Sequence, residues 1–202
     1  TNYEMIFKTP ASRKKIYKEI FSLGRFGLYD IYGGVMEKRK VTAKQNNSKS
    51  CVVCGLENDF SLFTRFYEIE GSEVVALAKG RNEHQGYPGR MHGGIITALL
   101  DETIGRAIMI EDPDAWGVTA ELNVRFRQPV PLDEELKIIG RIDTLGSKIF
   151  SGSGELLLPD GTVAATARGK YVRLKIDTIV EDSEEFQEEW FLENRPDEPE
   201  LV

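Results

Sequence analysis

Between Ile95 and Ile110 apolar residues fall on nearly every side of a helical projection, over a length that exceeds an ordinary strand. Such a run predicts a helix buried in the middle of a domain rather than one lying on its surface. His92, Gly93 and Gly94 precede it. Asp112-Pro113-Asp114 closes it, because proline bars helical geometry in the residue before it. Inside the run Asp101 and Glu102 stand side by side, and carboxylates are rarely buried without a partner or a task.

Ahead of this helix the period is two. Leu62, Thr64, Phe66 and Glu68 alternate with Ser61, Phe63, Arg65 and Tyr67, and Gly71 turns the chain into Val74-Val75-Ala76-Leu77-Ala78. After the helix, Trp116 to Arg127 alternates again. Val118, Ala120, Leu122, Val124 and Phe126 take one face, and Thr119, Glu121, Asn123, Arg125 and Arg127 the other. Residues 135–145, 148–158 and 162–174 read as further strands, with turns at Gly146-Ser147 and Pro159-Asp160-Gly161. With no helices between them, these strands predict an antiparallel meander. The class is α+β: one antiparallel sheet curved around one long central helix. A helix laid across one face of the sheet is the alternative.

The ends read differently. Ile16, Ile20, Phe21 and Leu23 predict an amphipathic helix between Ala11 and Leu23, and residues 37–50 are polar and basic, a surface linker. From Asp177 the chain turns acidic, with Phe186, Trp190 and Phe191 at near-helical spacing. That predicts a short helix docked by its aromatics with its glutamates in solvent. Three segments follow: a helical extension and linker over 1–50, the main domain over 51–175 and an acidic helical tail over 176–202.

Composition narrows the classes. The 202 residues are 41% hydrophobic and 29% charged, the balance of a globular chain. A net charge of -7 argues against binding nucleic acid through phosphates. No apolar run is long enough for a membrane span and no signal pattern opens the chain, so a cytoplasmic location is expected. Cys51 and Cys54 are the only cysteines, and the remaining soft ligands are His84 and His92. A reduced, structural turn is expected there, ahead of a metal site or a redox pair. No cofactor and no metal are expected.

The chemistry gathers at the central helix. A helix beginning at Gly93-Gly94 presents unpaired N–H groups and the positive end of its dipole, and glycine admits close approach. That is a candidate oxyanion hole for a carbonyl under attack, with tight packing of the helix start as the plain alternative. Asp101, seven residues past Gly94, lies roughly 10 Å further along the axis. It cannot touch a carbonyl held at its own helix's start. Both meet only if a second, antiparallel helix faces the first, so a site built from Asp101 and the glycines needs two copies of the chain. Glu102 is turned about 100° from Asp101, and a structural ion pair between Asp101 and Arg106 or Arg125 is the competing explanation.

Met91-His92-Gly93-Gly94, Leu99-Leu100-Asp101, Val118-Thr119-Ala120-Glu121-Leu122-Asn123-Val124 and Pro129-Val130-Pro131 together resemble the hotdog-fold acyl-CoA thioesterases. The His-Gly-Gly subgroup that includes phenylacetate-pathway enzymes is the most similar, over roughly residues 51–174. Some of its members share the Cys51-Val-Val-Cys54-Gly55 opening. The resemblance implies hydrolysis of an acyl-CoA to free acid and coenzyme A by a homodimer or a dimer of dimers. It implies Asp101 as general base or, less directly, as nucleophile, Gly93 and Gly94 as carbonyl donors, and Thr119 as the hydroxyl that orients water. His92 either bonds the thioester or fixes the turn. Gln85, Arg90, Glu102 and Asn123 are candidates for holding substrate. Arg125, Arg127, Lys148, Arg168 and Lys170 are further cations available to the coenzyme A phosphates. A hotdog dehydratase of hydroxyacyl thioesters and a hotdog sensor that binds acyl-CoA without turnover are the rival readings.

Overall fold

The computed structural model describes residues Lys38–Val202. The helix predicted between Ala11 and Leu23 lies outside them. In order, the described chain forms β1 (Val41–Lys44), β2 (Asn47–Ser48), β3 (Arg65–Ile69), β4 (Glu73–Lys79), α1 (Gly93–Arg106) and α2 (Ile108–Glu111). Four long strands follow, β5 (Ala115–Phe126), β6 (Glu135–Leu145), β7 (Ile149–Leu157) and β8 (Val163–Lys175), then α3 (Ser183–Glu189) and β9 (Trp190–Phe191).

α1 is the buried helix. Its start is fixed by His92, whose Nδ1 accepts the Gly94 N–H at 3.0 Å, satisfying one of the orphan donors of the first turn. Leu99, Leu100 and Ile104 are fully buried, and α1 packs against β4, β5, β6, β7 and β8. The sheet therefore wraps the helix, as the apolar pattern requires. Glycines let the layers meet. An added Cβ at Gly140 would lie 2.6 Å from the Thr103 carbonyl oxygen, and one at Gly152 2.5 Å from Ile104 Cγ2. The predicted single helix to Ile110 is interrupted at Ala107, where the turn tightens and Ala107 N–H donates to Ile104 O at 3.1 Å.

The sheet order is β1-β3-β4-β6-β7-β8-β5, antiparallel at every pairing. Only β6, β7 and β8 form a meander. β5 pairs with β8, and the chain then crosses to set β6 beside β4. The described part of the predicted linker, residues 38–50, is not a surface linker. β1 extends the sheet beyond β3, while Gln45, Asn47 and Ser48 are buried, Asn47 Nδ2 donating to the Cys54 and Thr64 carbonyls.

The tail docks by its aromatics but its glutamates are not all solvated. Trp116, Phe186 and Trp190 form a cluster with centroids 4.7–5.9 Å apart. Glu189 Oε1 accepts from the Ser48 hydroxyl, and Glu193 takes the Arg65 guanidinium at 2.7 and 3.0 Å and the Lys44 ammonium at 3.2 Å. Val202 then exchanges backbone hydrogen bonds with Arg39. The sequence hides these partners because they lie more than 100 residues away.

Candidate active site

β5 carries one irregularity with a chemical consequence. Its register against β8 runs Thr119↔Tyr171 and then Glu121↔Lys170, leaving Ala120 as the extra residue of a bulge. A bulge reverses which residues face the core. Before it, Gly117 and Thr119 face α1, and after it Leu122 and Val124 do, with Phe126 beside the helix start. The predicted apolar face from Val118 to Phe126 is thus split, and Val118 is 39% exposed. The bulge lets Thr119 and Leu122 share the helix side.

Thr119 uses that position to donate from Oγ1 to Asp101 Oδ1 at 2.8 Å. The Tyr171 hydroxyl donates to the same oxygen at 3.2 Å and approaches the Asp101 carbonyl at 3.3 Å. Burial first, then the Asp101 charge, pushes the Tyr171 hydroxyl well above its ordinary value, so it remains a donor. Asp101 Oδ2 has no donor among the described residues. Tyr171 went unread in the sequence. Its one signal is Gly169, two positions earlier on the same face, where a Cβ would lie 2.6 Å from the Tyr171 ring. The competing ion pair for Asp101 does not form with Arg106, which engages Glu102 instead through Nε at 3.0 Å and Nη2 at 2.8 Å.

These residues open on a cavity of about 390 Å³ whose walls include Cys51, Cys54, Asp101, Glu102, Thr119 and Trp190. Arg106 is 4% exposed and lies over the Phe66 and Trp190 rings at 3.9 and 4.7 Å. Cys51 and Cys54 are free thiols. The hydrogen bond from Cys54 pulls the Cys51 thiol below its ordinary value against burial and the Glu102 charge, and the same bond, then burial, pushes Cys54 up. A larger cavity, about 670 Å³, lies beneath the C-terminal tail with Lys38, Arg65, Lys79 and Lys137 on its walls, and it contains none of the predicted site residues.

The remaining candidates are placed as follows. His92 is exposed and caps α1, and because its Nδ1 engages the Gly94 N–H, that donor is not available as the sequence suggested. The Gly93 N–H has no acceptor among the described residues. Gln85 Oε1 accepts the Gly89 N–H at 2.7 Å, which closes the Tyr87-Pro88-Gly89 loop. Arg90 and Asn123 are exposed, Arg90 bridged to Pro131 through the backbone and Asn123 of β5 opposite Arg168 of β8. Lys170 is paired with Glu121 at 2.8 Å. His84 is buried among backbone groups: Nδ1 accepts the Arg81 N–H at 3.0 Å and Nε2 lies 2.9 Å from the Phe60 carbonyl. It therefore does not join Cys51 and Cys54, which removes the four-ligand set considered from sequence.

The family model of the thioesterase superfamily matches residues 88–165, from the loop ahead of the glycines through β8's start. A crystal structure of a thioesterase superfamily protein aligns at 28% identity over 60% of this chain and 59% of that one, with a TM-score of 0.56. Bovine (Bos taurus) acyl-coenzyme A thioesterase THEM4 is 30% identical over 54% of this chain and 44% of its own length. The chain thus spans less than half of that curated relative. A Streptococcus mutans protein crystallised with acetyl-CoA shares the fold at 20% identity, covering 55% of this chain and 89% of its own, with a TM-score of 0.50. Asp101 and Thr119 lie within the matched segment.

Proposed function

We propose that this chain hydrolyses acyl-CoA thioesters, with Asp101 as general base. The carrying observation is the Asp101 carboxylate at the cavity wall, one oxygen held by the Thr119 and Tyr171 hydroxyls and the other without a donor among the described residues. Oδ2 takes a proton from water, and the resulting hydroxide attacks the thioester carbonyl carbon. The oxyanion rests on the Gly93 N–H, aided by the helix dipole. Collapse breaks the C–S bond, and the coenzyme A thiolate recovers the proton from Asp101. The superfamily match and the naming of a curated relative as an acyl-coenzyme A thioesterase support the substrate class.

Gly93 and Asp101 are eight residues apart on one helix, roughly 12 Å along its axis. They serve one thioester only if Gly93 comes from a second copy. β5 offers the surface: it is the last strand of the sheet, twelve residues long, with Val118 and Phe126 39% and 49% exposed. A long edge strand of this kind is a template for pairing, and a two-fold contact there sets two helices antiparallel.

The test is thiol release from a panel of acyl-CoA compounds by wild type and Asp101→Asn, with mass measured in solution. Release reduced about 10²-fold or more in the variant, from a dimer or larger assembly, is expected. Tight binding without release would assign a sensor, and an enoyl product without thiol a dehydratase. A fully active monomer would refute the shared site.

A further inference from the structure

The Cys51–Cys54 turn is shaped around its sulfurs. Gly55 N–H donates to Cys51 O at 2.8 Å, and a Cβ at Gly55 would lie 2.4 Å from that oxygen, so the turn closes too tightly for a larger residue. The Val53 N–H points at Cys51 Sγ at 3.3 Å. Backbone donors aimed at a sulfur favour thiolate, the form in which cysteine ligates metals. Two cysteines separated by two residues also match one half of a tetrahedral zinc site.

Glu102 supplies what the sequence did not show. Cys51 Sγ, Cys54 Sγ and a Glu102 carboxylate oxygen lie within 4.8 Å of one another. Cys51 Sγ is 3.5 Å from Glu102 Oε2. A tetrahedral zinc with Zn–S about 2.3 Å and Zn–O about 2.0 Å separates those two atoms by roughly 3.5 Å. The outer partners are also in place. Arg106 holds Glu102 Oε1, leaving Oε2 turned toward the sulfurs, and its Nη2 donates to Cys54 Sγ at 3.1 Å. Arg106 Nη1 is anchored on the Asn46 carbonyl at 2.8 Å, so these partners are rigid.

Charge points the same way. A metal that binds both cysteines displaces their protons, and the two thiolates and the carboxylate against one guanidinium then sum to two negative charges, which a divalent cation neutralises. Thiolate ligands select the soft and borderline ions, zinc and cobalt among them, over magnesium or calcium. All three ligands line the 390 Å³ cavity that Asp101 and Thr119 also line, which gives the ion an entry path and leaves its fourth position facing the cavity.

We propose that Cys51, Cys54 and Glu102 form a binding site for a divalent metal of the zinc class, with a fourth position open to water or an anionic ligand. This does not rest on the thioesterase reading, whose bond-making steps are assigned to Asp101 and Gly93. The site also ties the Cys51 turn to the middle of α1, next to Asp101.

The experiment uses the full chain, reduced and stripped with a chelator, then titrated with cobalt(II). The expected result is thiolate-to-cobalt charge-transfer absorption with the intense visible bands of tetrahedral cobalt, saturating at one ion per chain and displaced by zinc(II). Cys51→Ser and Cys54→Ser should abolish the charge transfer. Glu102→Gln should weaken zinc binding about tenfold or more, read by competition with a chromophoric chelator. The proposal is overturned by a folded, fully reduced wild type that shows no charge-transfer band while both thiols react with a thiol reagent. It is equally overturned if the chain takes no metal and its thiols pair readily into a Cys51–Cys54 disulfide, seen as the loss of two hydrogens by mass. Because wild type alone decides these outcomes, a variant that fails to fold does not obscure them.

Discussion

Thr119 Oγ1 lies 2.8 Å from Asp101 Oδ1, eighteen residues earlier in the chain, because the bulge at Ala120 lets Thr119 share the helix side with Leu122. With Tyr171 on the same oxygen, the two hydroxyls hold the carboxylate by Oδ1, the oxygen opposite the one assigned above as the base. Thr119→Ala and Tyr171→Phe should therefore each lower thiol release by about tenfold, the scale of one hydrogen bond to a charged group. The readout is kcat measured across pH. If neither rate nor pH profile moves, these hydroxyls do not position the base.

A site shared between copies predicts complementation. Asp101→Asn and Gly93→Val chains should each be inactive alone, the valine barring a carbonyl from the Gly93 N–H. Mixed by co-expression, half the dimers carry one intact site out of two, so about a quarter of wild-type activity should return. No recovery in verified mixed dimers would place base and donor in one chain.

Arg106 is 4% exposed and its partner Glu102 22%, so breaking this pair leaves a poorly solvated charge. Arg106→Leu should destabilise the chain by about 3 kcal/mol, the low end for a broken buried pair, with lost stacking on Phe66 and Trp190 included. Urea unfolding gives the number. A change under about 0.5 kcal/mol would mean that the pair is effectively solvated.

Gly140 meets the Thr103 carbonyl oxygen where a Cβ would stand 2.6 Å away. Gly140→Ala should cost about 1–3 kcal/mol by pushing α1 off β6, since backbone cannot yield as a flexible side chain does. The thermal unfolding midpoint should drop by several degrees. An unchanged midpoint would show that the layers are looser than the contact distance says.

Arg65 holds the Glu193 carboxyl below its ordinary value of 4.5, outweighing burial, with Lys44 adding to the effect. A carboxyl depressed in the folded state stabilises fully above its unfolded value and loses that contribution as pH falls through the folded one. The C-terminal tail should therefore loosen as pH drops below 4.5, read from the fluorescence of Trp116 and Trp190 in the docked aromatic cluster. Arg65→Gln should flatten that acid response.

The chain by itself determined the central helix, the β5–β8 boundaries to within about a residue, and the separation of Asp101 from the glycines along one helix. Periodicity and turn residues are local, and a helix's rise per residue makes the separation of Gly93 and Asp101 unavoidable. What tertiary structure alone decided is which side chains those elements point at each other. Alternation cannot reveal a bulge, so Thr119 reads as facing away from the core until β8's register is known. Tyr171, 70 residues from Asp101, and Glu193, 128 from Arg65, are partners only because the sheet brings distant strands side by side. Glu102 differs from Asp101 by one position and about 100° of helical turn, and that rotation sends one carboxylate to Thr119 and the other to Arg106 and the two sulfurs.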